Sequence, residues 1–255
     1  MRVLIFSFLF VFAYLNFLAQ ESNQSSEALL ILPGFGSKIY GTKKLKRYFR
    51  DAPMPVFIAP YISRKSIDGC VSNLNQYIVK KELASYTKLH VLAFIVGSWT
   101  LNSYLTKITA LQNLRTIVYD RSPLQERAPW VLINDMKLVN GLLFGPITHD
   151  LVKTPYPVLN FTGIRRGIII ETMATRVIRN HKNTALSLGP ISWSPDSLKQ
   201  PYDDYTYLPL NHDEMYKNPE AYGQEIFYFI RNGVFSDSIK QNRPVMDPFV
   251  KKKKK

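Results

Sequence analysis

From residue 27 onward, short apolar runs alternate with stretches in which apolar positions recur three or four residues apart. "EALLILPGFGS" has the character of a buried strand closed by a glycine turn. "TKKLKRYFRD" sets Leu45, Tyr48 and Phe49 on one helical stripe, with basic residues outside it. "PVFIAPYI" predicts a second strand, and "SIDGCVSNLNQYIVKKEL" a helix with Ile67, Val71, Leu74 and Ile78 on one side. "KLHVLAFIV" predicts a third strand, followed by a helix that turns Leu101, Leu105, Ile108 and Leu111 to one face. "LRTIVYD", "RRGIIIETM" and "TYLPLNH" continue the strand series, and "NPEAYGQEIFYFIRNGVF" is the last helix. The segment from Pro129 to Pro157 is longer and helical in pattern, the place for a small cap. In it, Thr148 is expected to cap a helix that starts at His149-Asp150. Strands with continuous apolar runs, alternating with helices, imply an α/β fold: a mostly parallel sheet covered by helices on both faces. Neither an internal repeat nor a second domain boundary interrupts the pattern.

At 255 residues the chain is long enough for one domain with a full core. With 46% hydrophobic and 13% aromatic residues, its composition excludes a disordered chain. The amino terminus changes the picture. One arginine precedes a nearly unbroken apolar stretch from Val3 to Ala19, the layout of a signal peptide, so residues 1–19 direct export. Phe17 occupies a place where cleavage after Ala19 wants a small residue, and an uncleaved anchor is the alternative. Residues 20–27 form a polar linker, 28–250 the folded domain and 251–255 a lysine tail. Asn23-Gln24-Ser25 and Asn160-Phe161-Thr162 fit the glycosylation pattern.

The formal net charge is +14, of which Lys251–Lys255 contribute five. Such a run is either a solvated tail or an attachment to an anionic membrane surface. The basic residues are not interleaved with aromatics in any motif that reads nucleic acid, so no nucleic-acid partner is expected. Cys70 is the only cysteine, which excludes an intrachain disulfide and a cysteine-based metal site. His90, His149, His181 and His212 share no short ligand spacing, and "PGFGS" lacks the continuation of a phosphate loop. No metal or cofactor is expected.

Several segments carry a resemblance. "LLILPGFGS", "YISRKSID", "TIVYDRSPLQERAP", "GPITHDL", "GIRRGIIIETMA" and "YLPLNHDEMYKNPEAYGQEIFYFIRNGVF" follow one another in an order and spacing that resembles the α/β-hydrolase superfamily. The similarity is to its bacterial lipase-like acyl-hydrolase branch, and it runs from about Ala28 to Phe235. It implies a strand, a sharp turn bearing a nucleophilic serine, and a helix, with an acid and a histidine on later strand ends.

Laid on the sequence without a gap, the small-x-Ser-x-Gly-Gly elbow falls on Ala93, Phe94, Ile95, Val96, Gly97 and Ser98. The resemblance therefore puts Ile95 at the nucleophile position, and an isoleucine has no atom that attacks a carbonyl. Its acid motif falls on "LGPIS", which puts Leu188 at the acid position. The histidine persists as His212. Gly34, Phe35 and Val96 fall in the oxyanion-hole region, where Pro33 stands in place of the family's histidine. Two functions of different class remain. One is a non-catalytic lipase-like protein that holds a hydrophobic or acyl ligand, or a partner, in the old pocket. The other is a carboxylic-ester hydrolase with a rebuilt triad of Ser98, His212 and one of Asp196, Asp203 or Asp204.

Overall fold

The computed structural model describes residues 26–108, 111–160 and 162–250. Its strands are β1 (Glu27–Leu32), β2 (Val56–Ile58), β3 (Lys88–Ala93), β4 (Leu114–Arg121), β5 (Arg165–Glu171) and β6 (Asp204–Leu208). They form one sheet in the order β2-β1-β3-β4-β5-β6, every neighbouring pair parallel. All the carboxyl ends therefore lie along one edge, where open α/β sheets bind ligands.

Helices fall where the periodicity predicts after β1, β2 and β3, in the cap and near the end, and further short ones lie between them. α1 (Gly36–Tyr40) and α2 (Lys43–Tyr48) succeed β1, and α3 (Ile67–Lys80) succeeds β2. α4 (Ile95–Lys107) succeeds β3. The cap comprises α5 (Ala128–Asp135), the single turn α6 (Lys137–Val139), a π-helical turn over Asn140–Phe144, and α7 (Ile147–Lys153). α8 (Arg176–Asn180) and α9 (Lys182–Leu186) succeed β5, while α10 (His212–Lys217), α11 (Gly223–Asn232) and α12 (Asp237–Lys240) succeed β6.

Successive strand residues point to opposite faces, and both faces are dry. Leu30, Leu32, Val91 and Ile168 pack with Leu74 of α3 and Leu101 of α4. Leu29, Ile31, Leu92 and Ile169 pack on the other side with Leu45 of α2, Met215 of α10 and Ile226 of α11. This is why the strands read as continuous apolar runs rather than alternating ones. A third, smaller core joins Leu124, Ala128 and Val131 to Ala174 and Ile178, tying the cap to the segment after β5.

Several local expectations are corrected. β3 stops at Ala93, because Phe94 and Ile95 leave the sheet to open α4, and α4 ends at Lys107 before Ile108 and Leu111. Thr148 lies inside α7 rather than capping it, its hydroxyl donating to the Gly145 carbonyl. Asp150 serves a neighbouring helix instead, accepting the backbone N–H of Ile67 at the start of α3 (3.1 Å). β1 begins at Glu27, the last residue of the expected linker. The expected signal segment (1–19), the glycosylation pattern at Asn23 and the lysine tail lie outside the described residues, as does Phe161 of the second pattern. Among the described residues no helix is long and apolar enough to cross a membrane.

Candidate functional site

β3 delivers the chain to the carboxyl edge of the sheet, where extended Phe94 leads directly into Ile95, the first residue of α4. Gly97 makes this turn fit. A Cβ there would lie 2.3 Å from the Leu32 carbonyl oxygen, so only glycine lets the helix start press against the end of β1. Among the described residues, Glu82 and Lys199 are the non-glycine positions with left-handed backbone. Ile95 is not one of them. The strain that aims a nucleophile at an elbow is thus released here, which a β-branched residue requires.

His212 is set by a capping box. Asn211 accepts the backbone N–H groups of Asp213 and Glu214 (both 3.1 Å), and the Glu214 carboxylate accepts the Asn211 N–H (3.0 Å). This fixes the first turn of α10 and holds the imidazole, its side chain 10% exposed, edge-on to Phe94 and Tyr216. Its Nδ1 lies 2.7 Å from Glu171 Oε1 and 3.7 Å from Asp120 Oδ2. Its Nε2 points toward Gly34, about whose Cα there is no side chain to fill the space.

The acid at this site is therefore Glu171, with Asp120 behind it. The placement at Leu188 is overturned: Leu188 is 50% exposed, in the irregular segment after α9. Glu171 closes the buried run Ile168-Ile169-Ile170, and Asp120 sits near the end of β4; both have zero exposure. The resemblance was laid on a loop, whereas the chemistry lies on the strand ends. In sequence each closes or nearly closes an apolar strand run, a pattern shared by the polar border of any strand, so it does not single out an acid.

Burial pushes both carboxyl groups well above the ordinary carboxylate range, and the nearby Glu171 raises Asp120 further. Neither Asp120 oxygen nor Glu171 Oε2 has a hydrogen-bond partner, and burial disfavours charging two neighbouring carboxyls together, so the pair favours holding a proton. A charged Glu171 accepts the Nδ1–H of His212 through Oε1. Burial holds the imidazole below its ordinary value, opposed by Asp120, Asp213 and Glu126. With its proton on Nδ1, neutral His212 presents an unprotonated Nε2 on the Gly34 side.

Asp120, Glu171 and His212 also offer three ligand atoms within 4.8 Å of one another. The 2.7 Å between Nδ1 and Oε1 is a hydrogen-bond length, shorter than the about 3.3 Å separating two ligands of a tetrahedral zinc site. As placed, that pair is spaced for a hydrogen bond.

The remaining predicted residues separate clearly. Ser98 is fully buried beneath the turn, and its hydroxyl donates to the Ile95 carbonyl (2.6 Å). Asp196 accepts the Tyr202 hydroxyl (2.9 Å) and Asp203 the Arg166 N–H (2.6 Å). Asp204 takes the Phe235 N–H (2.7 Å) and Lys240 (2.8 Å). The structure brings none of these four to His212. In the oxyanion region, the Gly34 N–H is already spent on the Tyr216 hydroxyl (2.7 Å).

Phe35, Ile95, Val96 and Trp99 line a cavity of about 320 Å³ together with His212, and the cap closes it with Leu132, Phe144 and Leu151. Phe35 and Phe144 meet edge to face at 5.2 Å, joining the loop after β1 to the cap. Besides His212, the polar side chains are Tyr40, Gln125, Glu126, Thr148, Thr175 and Asp213, with exposed Arg176 at the rim. Glu126 is bidentate to buried Arg121, whose guanidinium stacks 3.9 Å over the Tyr156 ring, so its charge is met from behind. An apolar chamber with a few convergent polar groups is the usual form of a small-molecule site.

No family model and no curated protein matches the chain. Solved structures do. An α/β-hydrolase enzyme from the metagenome of sediments of the Mar Chica lagoon, Morocco, superposes with a TM-score of 0.51 at 16% identity. That match covers 80% of this chain and 90% of the other. A histidine-to-alanine variant of PytH superposes with a TM-score of 0.51 at 12% identity, covering 81% of this chain and 97% of that one. At such identities the likeness is one of fold alone, and the fold is that of the α/β-hydrolases.

Proposed function

We propose that this α/β-hydrolase-fold chain does not form acyl-enzymes and instead binds a small apolar molecule, acyl chains included, in the cavity between the sheet edge and the cap. The carrying observation is Ile95. It stands at the elbow, lines the cavity beside His212, and offers carbon where a hydrolase offers a hydroxyl. Ser98 supplies no replacement, because its hydroxyl is buried and occupied.

Two measurements test the reading. The full chain is expected to remain unlabelled by a fluorophosphonate probe, and labelling of any serine would overturn the non-acylating reading. The cavity is expected to bind 1-anilinonaphthalene-8-sulfonate with enhanced fluorescence, and decanoate to displace it. Ile95→Asp, which places a charge on the apolar floor, should weaken that displacement by about tenfold or more. Equal displacement from parent and variant would remove the cavity from the account.

The reading extends to location. The apolar Val3–Ala19 stretch favours export, and the basic charge favours an anionic bilayer as the place where the ligand is met. Supporting this, the cap exposes Leu138 (83%), Leu142 (74%) and Leu143 (53%) next to cavity-lining Phe144.

A further inference from the structure

A protein that only stored an apolar ligand would have no use for the group beside it. A histidine with one nitrogen bonded to a fully buried carboxyl pair costs folding energy, since two acids and an imidazole are taken out of water together. The arrangement nonetheless persists intact at a site whose nucleophile is carbon. Every part needed to accept a proton is present, and the part needed to make a covalent bond is missing.

We propose that His212, oriented by Glu171 and Asp120, is a general base that removes a proton from a carbon acid bound in the cavity, without a covalent intermediate. The proposal rests on the apolar-ligand reading above and adds a reaction to it. The substrate class is a small, largely apolar molecule carrying a C–H bond next to an electron-withdrawing group, such as a carbonyl.

The step balances within the site. The C–H bond breaks, its proton bonds to Nε2, and its electron pair stays on the substrate, delocalised onto the electron-withdrawing group. The imidazolium that forms is held by the Glu171 carboxylate at 2.7 Å from Nδ1, with Asp120 Oδ2 3.7 Å from the same nitrogen. Ile95 and Val96 line the substrate side, at the amino-terminal turn of α4, whose first N–H groups have no partner within the helix. That end of a thirteen-residue helix favours a developing negative charge. His212 is the catalytic residue; Glu171 and Asp120 are positioning residues.

The probe is 5-nitrobenzisoxazole, a compact apolar carbon acid. Loss of its C3 proton forms the nitrile, breaks the N–O bond and releases a coloured cyanonitrophenolate. The full chain should accelerate this elimination by about 10²–10⁴-fold over buffer, the range of a positioned base. The rate should rise with pH through a single titration whose midpoint lies below the ordinary histidine value of about 6.5, because burial depresses His212 against the carboxyl groups of Glu171, Asp120, Glu126 and Asp213 and beside the Tyr216 ring. His212→Gln should return the rate to that of buffer. Glu171→Gln should lower kcat with little change in KM and move the pH midpoint.

1-Anilinonaphthalene-8-sulfonate binding is measured on the same samples, which reports whether each variant keeps its cavity. Dye binding without elimination overturns the general-base proposal and leaves the ligand reading standing. Absence of both overturns both. Elimination that survives His212→Gln also overturns the proposal.

Discussion

In the proposed reading Ile95 excludes an acyl-enzyme, and the side chains around it set what chemistry is left to test. With Glu171 already on His212 Nδ1, a single change tests whether the apex is still aimed at the base. Ile95→Ser is expected to become labelled by fluorophosphonate and to hydrolyse p-nitrophenyl acetate about tenfold faster than the parent. The gain stays small because the Gly34 N–H is occupied by Tyr216, and loss of one oxyanion donor costs roughly 10²–10³ in rate. Adding His212→Gln should abolish the gain. A folded, unlabelled Ile95→Ser would mean that release of the elbow's strain has turned the apex away from the histidine. At this scale the sequence was legible where a residue type is diagnostic by itself, as with Ile95 between Ala93 and Gly97, or His212 after a strand. It was not legible for Glu171 and Asp120. Each looks like the polar border of an apolar strand until the sheet is assembled and β4, β5 and α10 bring them within reach of one imidazole.

The element that matters most to the site is α10, a six-residue helix too short to hold itself together. Its geometry depends on the Asn211–Glu214 capping box and on Met215 and Tyr216 buried against the sheet. Asn211→Ala should therefore cost about 1 kcal/mol, read as a fall in Tm of about 2–4 °C for a domain of this size. It should also disturb the His212 ring more than the rest of the molecule, visible as a loss of the Nδ1-bonded imidazole proton signal in NMR. An unchanged Tm would show that burial alone holds the helix. Elements were far more legible than contacts. All six strands could be read: burial on both faces leaves long apolar runs in the four central ones, and the partly buried edge strands β2 and β6 keep short runs rich in β-branched and aromatic residues. Ends were harder: Phe94 and Ile95 are as apolar as the strand before them, so nothing in hydropathy marks where β3 yields to α4.

At the scale of the whole molecule, the proposed membrane source of the ligand rests on charge and apolar surface together. The chain carries +14, five of it in Lys251–Lys255, while the cap beside the cavity exposes Leu138, Leu142 and Leu143. A bilayer offers both halves of the match, anionic headgroups for the lysines and acyl chains for the leucines. Each lysine near an anionic surface contributes about 1 kcal/mol, and that attraction has a range of about 10 Å at 0.1 M salt but only 3 Å at 1 M. Co-sedimentation with phosphatidylglycerol vesicles should therefore be strong at 0.1 M salt and weak at 1 M, and weak on phosphatidylcholine at either. Removing Lys251–Lys255 should reduce binding at 0.1 M salt without lowering Tm, since a like-charge run beyond the last helix has nothing to bury. Leu142→Ser should reduce what binding survives at 1 M, because that residue of attraction is apolar and salt does not screen it. Equal binding to both lipids, or full binding by the tail-deleted chain, would detach the cavity's ligand from an anionic membrane source. The chemistry at His212 would then have to be supplied from solution.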